Sequence, residues 1–193
     1  MSHPLSSSRP DAGHSPATIL LHWLSVLLIV GAVAAVGLRE LADDKASRQL
    51  LLDIHRQLGL SVLLLLCARV PLHLWQRPAA AAMAWPLRWA AAATHLALYA
   101  LLLTLPLLGW ALSDARGQHP LLLGWLHLPT LVATDPDRAD LLADAHVACA
   151  WALLAAVSLH VAAALWHHWV RRDAVLRAMW PAARRLAPRF PQP

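Results

Sequence analysis

Four long apolar stretches punctuate the chain, at residues 17–38, 50–74, 88–112 and 143–170. Each reaches the roughly 20 residues a helix needs to cross a hydrocarbon core of about 30 Å. Short connections make successive helices antiparallel neighbours, so the pattern predicts an all-α, four-helix transmembrane bundle. Pro16 suits a helix start, and Pro71 and Pro106 mark places where the second and third helices could kink. The linker 75–87 is rich in Pro, Ala and Trp. The linker 113–142 is the longest, and its stretch LLLGWLHLP is apolar yet too short to span. It reads as an interfacial or capping element. Three parts follow: a polar N-terminal segment 1–16, a membrane domain 17–170, and a basic, Pro-rich tail 171–193.

Composition sharpens the membrane reading. The 193 residues are 59% hydrophobic and 14% charged, against about 45–50% and about 25% in soluble domains. Seven of the ten Trp (23, 75, 85, 89, 110, 166 and 169) fall near segment ends, as an interfacial aromatic belt requires. The N-terminal segment lacks the short apolar core and cleavage site of a signal peptide, so the first apolar stretch reads as an uncleaved, inserting helix. Cys67 and Cys149 lie inside apolar segments and suggest neither a disulfide framework nor a zinc site.

Charge orients the bundle. The side holding residues 1–16, the second linker and the tail has 10 Lys/Arg against 2 Asp/Glu, and the opposite side has 6 against 9. The positive-inside rule places both termini in the cytoplasm. Because the Arg excess belongs to a membrane face, nucleic acid is not the expected partner; the lipid bilayer is.

The chemistry sits on histidines. His146 and His160 are fourteen residues apart in the fourth segment, almost four helical turns, so they share a face about 21 Å apart along the axis. With the termini inside, His22 near the start of the first segment matches His160 in depth on the inner side. His55, near the start of the second, matches His146 on the outer side. A low-spin haem takes one neutral imidazole on each face of its ring, so two helices carrying matched histidines suit a b-type haem. Two pairs predict two haem b, with His22, His55, His146 and His160 as iron ligands. A single intramembrane His is as often a hydrogen-bonded packing residue as a functional one; four with matched depth favour haem. Both axial positions filled leaves electron transfer as the chemistry. No C-x-x-C-H occurs, so attachment is non-covalent.

Neighbouring residues add candidate contacts. Gly31, Ala32, Ala34, Ala35, Gly37 and Gly59 would make room for macrocycles, although small residues also serve ordinary helix packing. Arg56 and Arg69 are candidates for propionates. His95, at about the depth of His22, could replace an inner ligand or contact a propionate or a quinone. His167 follows His160 by seven residues and is a further propionate or quinone candidate. His73 and His168 read as interfacial, and His3, His14, His119 and His127 lie outside the spans.

The motifs LLHWLSVLL around His22, DIHRQLG around His55, THLALYALLLTLPLLGW in the third segment and DAHVACAWALLAAVSLHVAAALWHHWVRRDAVLRAMWP in the fourth resemble the bacterial cytochrome b561 family. That family is related to the membrane cytochrome b subunits of nickel-iron hydrogenases and formate dehydrogenases. The resemblance runs from about Ala17 to Pro181. It implies a dihaem protein of the bacterial inner membrane, with ligands at the same four histidines and ubiquinone or another quinone as redox partner. One branch is similar to superoxide oxidases, which pass electrons from superoxide to ubiquinone. The apolar linker 113–142 departs from the pattern on the donor side, and the acidic outer loops offer little to an anion beyond Arg56 and Arg116. A membrane anchor for a dehydrogenase or hydrogenase-type complex is the second functional class. A haem-free transporter or structural subunit is the third, and it lacks the internal repeats many transporters carry.

Overall fold

A computed structural model of the chain describes residues 15–76, 85–173 and 175–180. Most of the N-terminal segment and of the tail, with His3 and His14, lies outside the described residues, as does the side chain of His73. Four helices carry the fold: α1 (Pro16–Leu41), α2 (Lys45–Gln76), α3 (Trp85–Ala115) and α4 (Pro136–Trp166). All four are long and apolar enough to cross a membrane. Between α3 and α4 a small antiparallel hairpin pairs β1 (Leu121–Leu122) with β2 (Leu126–His127). After α4 the chain makes a π-helical turn, His167–Arg171, and then a short α5 (Val175–Ala178).

Local chemistry sets the helix starts. Ser15 caps α1 by accepting from the Thr18 N–H at 3.2 Å, and Pro16 follows at a position whose N–H has no helical partner. Asp135 and Pro136 repeat the device on α4, where the Asp135 carboxylate accepts from the Arg138 N–H at 3.1 Å. Asp44 accepts from the Ser47 N–H at 2.8 Å ahead of α2. These caps carry the helices beyond their apolar centres. The second helix therefore starts five residues before the apolar stretch, and the fourth starts seven before it. The linker 113–142 shrinks to 116–135. Pro71 and Pro106 both lie inside continuous helices.

α1 packs along α2, α3 along α4, and α2 meets α3, whereas α1 and α4 make no comparable contact. Gly31 explains part of the first pairing: a Cβ there would stand 3.1 Å from Leu58 Cδ1. Ala32 and Ala35 are buried on the same helix. The starts of α1 and α3 and the ends of α2 and α4 share one face, called here the terminal face. The opposite, hairpin face carries the β-hairpin.

Asp114 organises the hairpin face. Its side chain is 1% exposed; Oδ2 accepts from the Leu131 N–H at 2.8 Å, and Oδ1 lies 3.2 Å from His119 Nδ1. The Asp135 N–H donates to the Ala115 carbonyl at 2.9 Å, closing the loop at its root. Gln57 of α2 holds the hairpin itself, donating to the Leu121 carbonyl at 2.5 Å and accepting from the Leu123 N–H at 2.9 Å. The expected capping element is thus a hairpin tied to α2, with Leu123, Trp125 and Leu126 exposed.

Candidate functional site

Two imidazole pairs span the bundle at different depths. On the hairpin face, His55 of α2 and His146 of α4 have ring centroids 6.1 Å apart, with planes at 75°. On the terminal face, His22 of α1 and His160 of α4 are 6.4 Å apart, with planes at 62°. An imidazole nitrogen binds a transition metal at about 2.0–2.1 Å. With about 1.1 Å from nitrogen to ring centre on each side, a metal between two imidazoles separates the centroids by about 6.3 Å. Both pairs have that spacing.

The hairpin-face pair is held by backbone on both sides. His55 Nδ1 lies 2.9 Å from the Ala32 carbonyl of α1. A carbonyl only accepts, so Nδ1 carries the proton and Nε2 keeps its lone pair, the form a metal ligand needs. Gly31 and Ala32 let α1 come close enough for this bond. Across the bundle, α3 passes His146 at Gly109, where a Cβ would stand 3.2 Å from Cε1 and 3.5 Å from Nδ1. His146 Nδ1 is buried and has no hydrogen-bond partner among the described residues. Arg56, beside His55, turns to Asp53 at 3.2 Å and to Gln118 of the loop.

The terminal-face pair has side-chain neighbours instead. Arg69 Nη2 lies 3.2 Å from His22 Nδ1, and its guanidinium stands 5.6 Å from the centre of the Tyr99 ring. A guanidinium only donates, so His22 Nδ1 is the acceptor in this arrangement and a neutral His22 carries its proton on Nε2. To bind a metal through Nε2, His22 would have to release Arg69 and hold the proton on Nδ1 instead. His95 of α3 places its ring 5.4 Å from that of His160, at 66°. His160 therefore neighbours both His22 and His95, and its distance to His22 is the one that suits a shared metal.

His167 stands apart from both pairs. It is 8% exposed, and its Nδ1 lies 2.5 Å from Asp173 Oδ2. Asp173 titrates below the ordinary carboxylate range because His167, and then the Val175 N–H, bond to its charged form. Of the small residues named above, Gly31 serves helix contact, Ala34 is exposed, and Gly37 and Gly59 have open space beside them. Sequence reasoning missed the Ala32 carbonyl, Gly109, Gln57, Gln118, Tyr99 and Asp173. Only Asp173 carried a signal, as an acidic residue in an otherwise basic run, HHWVRRD.

Residues 13–182 match the family described as prokaryotic cytochrome b561. The chain belongs to that family. It is 31% identical over 171 residues to "Cytochrome b561 homolog 1" of Escherichia coli (strain K12), covering 86% of this chain and 96% of that protein. "Cytochrome b561 homolog 2" of the same organism is 29% identical over 161 residues, covering 82% and 86%. A Yersinia pestis protein named "Probable superoxide oxidase CybB" is 30% identical over 173 residues, covering 89% and 97%. The chain is accordingly a multi-pass bacterial membrane protein, a b-type cytochrome of electron transfer.

Proposed function

We propose that this cytochrome holds two haem b groups and moves electrons between a donor on the hairpin face and the quinone pool. His55 with His146, and His22 with His160, would be the iron ligands. The spacing of the two imidazole pairs is the observation that carries this reading. Among the described residues no group of three His, Cys, Asp or Glu side chains could hold a free metal ion. A haem brings four nitrogens of its own and asks the protein for two, which is what each pair offers. This favours haem over metal transport. Once bound, the haems would supply one-electron iron couples.

The chain's own residues do the remaining work. The Ala32 carbonyl keeps His55 in its ligating tautomer. Gly109 limits how His146 can turn. Arg69 sets a fixed positive charge beside the terminal-face pair, where it could also meet a propionate. Arg56 is the cation next to His55 in the chain. Positive-inside charge orients the hairpin face outward from the cytoplasm in the inner membrane. Superoxide is the donor suggested by the Yersinia relative's name. Arg56 and Arg116 would attract it, against the acidic side chains around them. His95 and His167 would meet a quinone on the terminal face.

The deciding experiment is a dithionite-reduced minus oxidised spectrum with pyridine haemochrome quantification. Two b haems per chain are expected, falling to one in His55→Ala or His22→Ala. Well-folded protein without haem would overturn the assignment. Superoxide should reduce the loaded protein; failure, where dithionite succeeds, removes that donor.

A further inference from the structure

The end of α4 is built irregularly, and the irregularity serves one His167–Asp173 hydrogen bond. After Trp166 the helix widens into the π-turn His167–Arg171, a feature frequent at functional sites. Arg172 then adopts φ 53°, a left-handed conformation unfavourable for a side chain other than glycine. The reversal brings the Asp173 N–H to the His167 carbonyl at 3.2 Å. It also brings the Asp173 carboxylate onto the ring: Oδ2 meets His167 Nδ1, and Oδ1 accepts from the Val175 N–H at 3.1 Å. The following segment is tied to α1, where Trp23 Nε1 donates to the Met179 carbonyl at 2.8 Å and stacks edge-on with Trp180 at 5.8 Å. Trp23 is the residue next to His22. The carboxylate is thus anchored to the part of the bundle that carries the terminal-face pair.

We propose that Asp173 is a positioning residue for proton exchange with the quinone, acting through His167. This rests on the quinone reading above and deepens it. An ionised carboxylate accepts only, so Nδ1 of His167 is the donor and Nε2 is left on the opposite edge of a ring that is 8% exposed. His167 lies seven residues beyond His160 on the same helix, about two turns nearer the terminal face. Reducing a quinone to a quinol takes two electrons and two protons. The electrons arrive one at a time from the cytochrome. Each proton passes from Nε2 of the His167 imidazolium to a quinone oxygen and is replaced from water at the terminal face. Asp173 stays ionised, keeps the ring in place and balances its charge. Among the described residues, Arg171, whose Nε is 3.9 Å from the carboxylate, the neighbouring Arg172, and His168 and Arg177, which line a cavity with Leu176 and Trp180, are further charged or titratable groups of this segment.

The test uses haem-loaded, dithionite-reduced protein mixed with a short-chain ubiquinone and, separately, with ferricyanide, a one-electron acceptor that takes up no proton. Asp173→Asn should slow reoxidation by quinone at least about tenfold, in kcat rather than KM. Its haem content, spectrum and ferricyanide rate should stay those of the wild type, and Asp173→Glu should recover most of the rate. In 15N-histidine spectra, the His167 resonances should leave the Nδ1–H pattern in Asp173→Ala. An Asp173→Asn rate equal to wild type with quinone, or an equal loss with both acceptors, would overturn the proposal. Wild-type protein inert towards quinone but competent with ferricyanide would remove the quinone reading itself.

Discussion

On the hairpin face, the histidine of the first helical pair is oriented by a backbone carbonyl, Ala32 to His55. On the terminal face its counterpart His22 meets a side-chain cation, Arg69. A carbonyl is neutral and fixes the proton on Nδ1. A guanidinium brings a charge into the membrane span, can turn to another acceptor, and has Tyr99 beside it as a second resting place. The histidine shared by each pair differs too. His146 is hemmed in by Gly109, whereas His160 has a second imidazole, His95, beside it. One region is prearranged by main chain, and the other is adjustable by side chains. In the dihaem reading, a fixed positive charge beside the terminal-face pair favours the reduced state there.

The largest expected effect separates His22 from His95. His22→Ala should remove one haem, and His95→Ala should leave two, as counted by pyridine haemochrome. The opposite outcome would make His95 the partner of His160. Next, Gly109→Val places branched carbon against His146 and should cost the hairpin-face haem alone, leaving a one-haem protein whose remaining band resembles that of His55→Ala. Arg69→Gln should lower the potential of the terminal-face haem by about 1–2 kcal/mol and barely move the other. A spectroelectrochemical titration reads both. Equal shifts would erase the electrostatic half of the comparison.

Smaller effects test the cap over the hairpin face. Asp114→Ala leaves the Leu131 N–H without its acceptor and should destabilise the loop by about 1–3 kcal/mol, visible as faster proteolysis between α3 and α4. The smallest effect is at Asp44, whose carboxyl titrates below its ordinary value because Ser47, by side chain and then backbone, bonds to the charged form. A carboxylate depressed in the folded state adds stability above its unfolded value, and that stability is lost as pH falls through the folded one. The start of α2 should therefore loosen only below about pH 4. Asp44→Asn should flatten that acid dependence in amide exchange at Ser47 and Arg48.

The depth of each histidine was legible because a membrane helix has one rise per residue and short loops force alternation. His22, His55, His146 and His160 could thus be ranked along the bilayer normal without any contact being known. The helix ends were not legible from hydropathy. The polar turn at Lys45–Gln49 is helical through the Asp44 cap, and Pro136–Leu142 through the Asp135 cap together with the burial of Ala139. The short hairpin was also hidden, since LLLGWLHLP owes its shape to Gln57 on another helix.

By itself, the order of residues determined the four spans, their alternation, the charge asymmetry between the faces, and the depths of the histidines. All of these follow from local hydrophobicity and helical rise. Tertiary structure alone decided which nitrogen of His55 keeps its lone pair, that α3 leans on His146 at Gly109, that His160 faces two imidazoles, and that Asp173 turns back onto His167. Each of these depends on the azimuth and closeness of helices distant in the chain. Periodicity leaves that azimuth open, because long apolar helices are hydrophobic nearly all round.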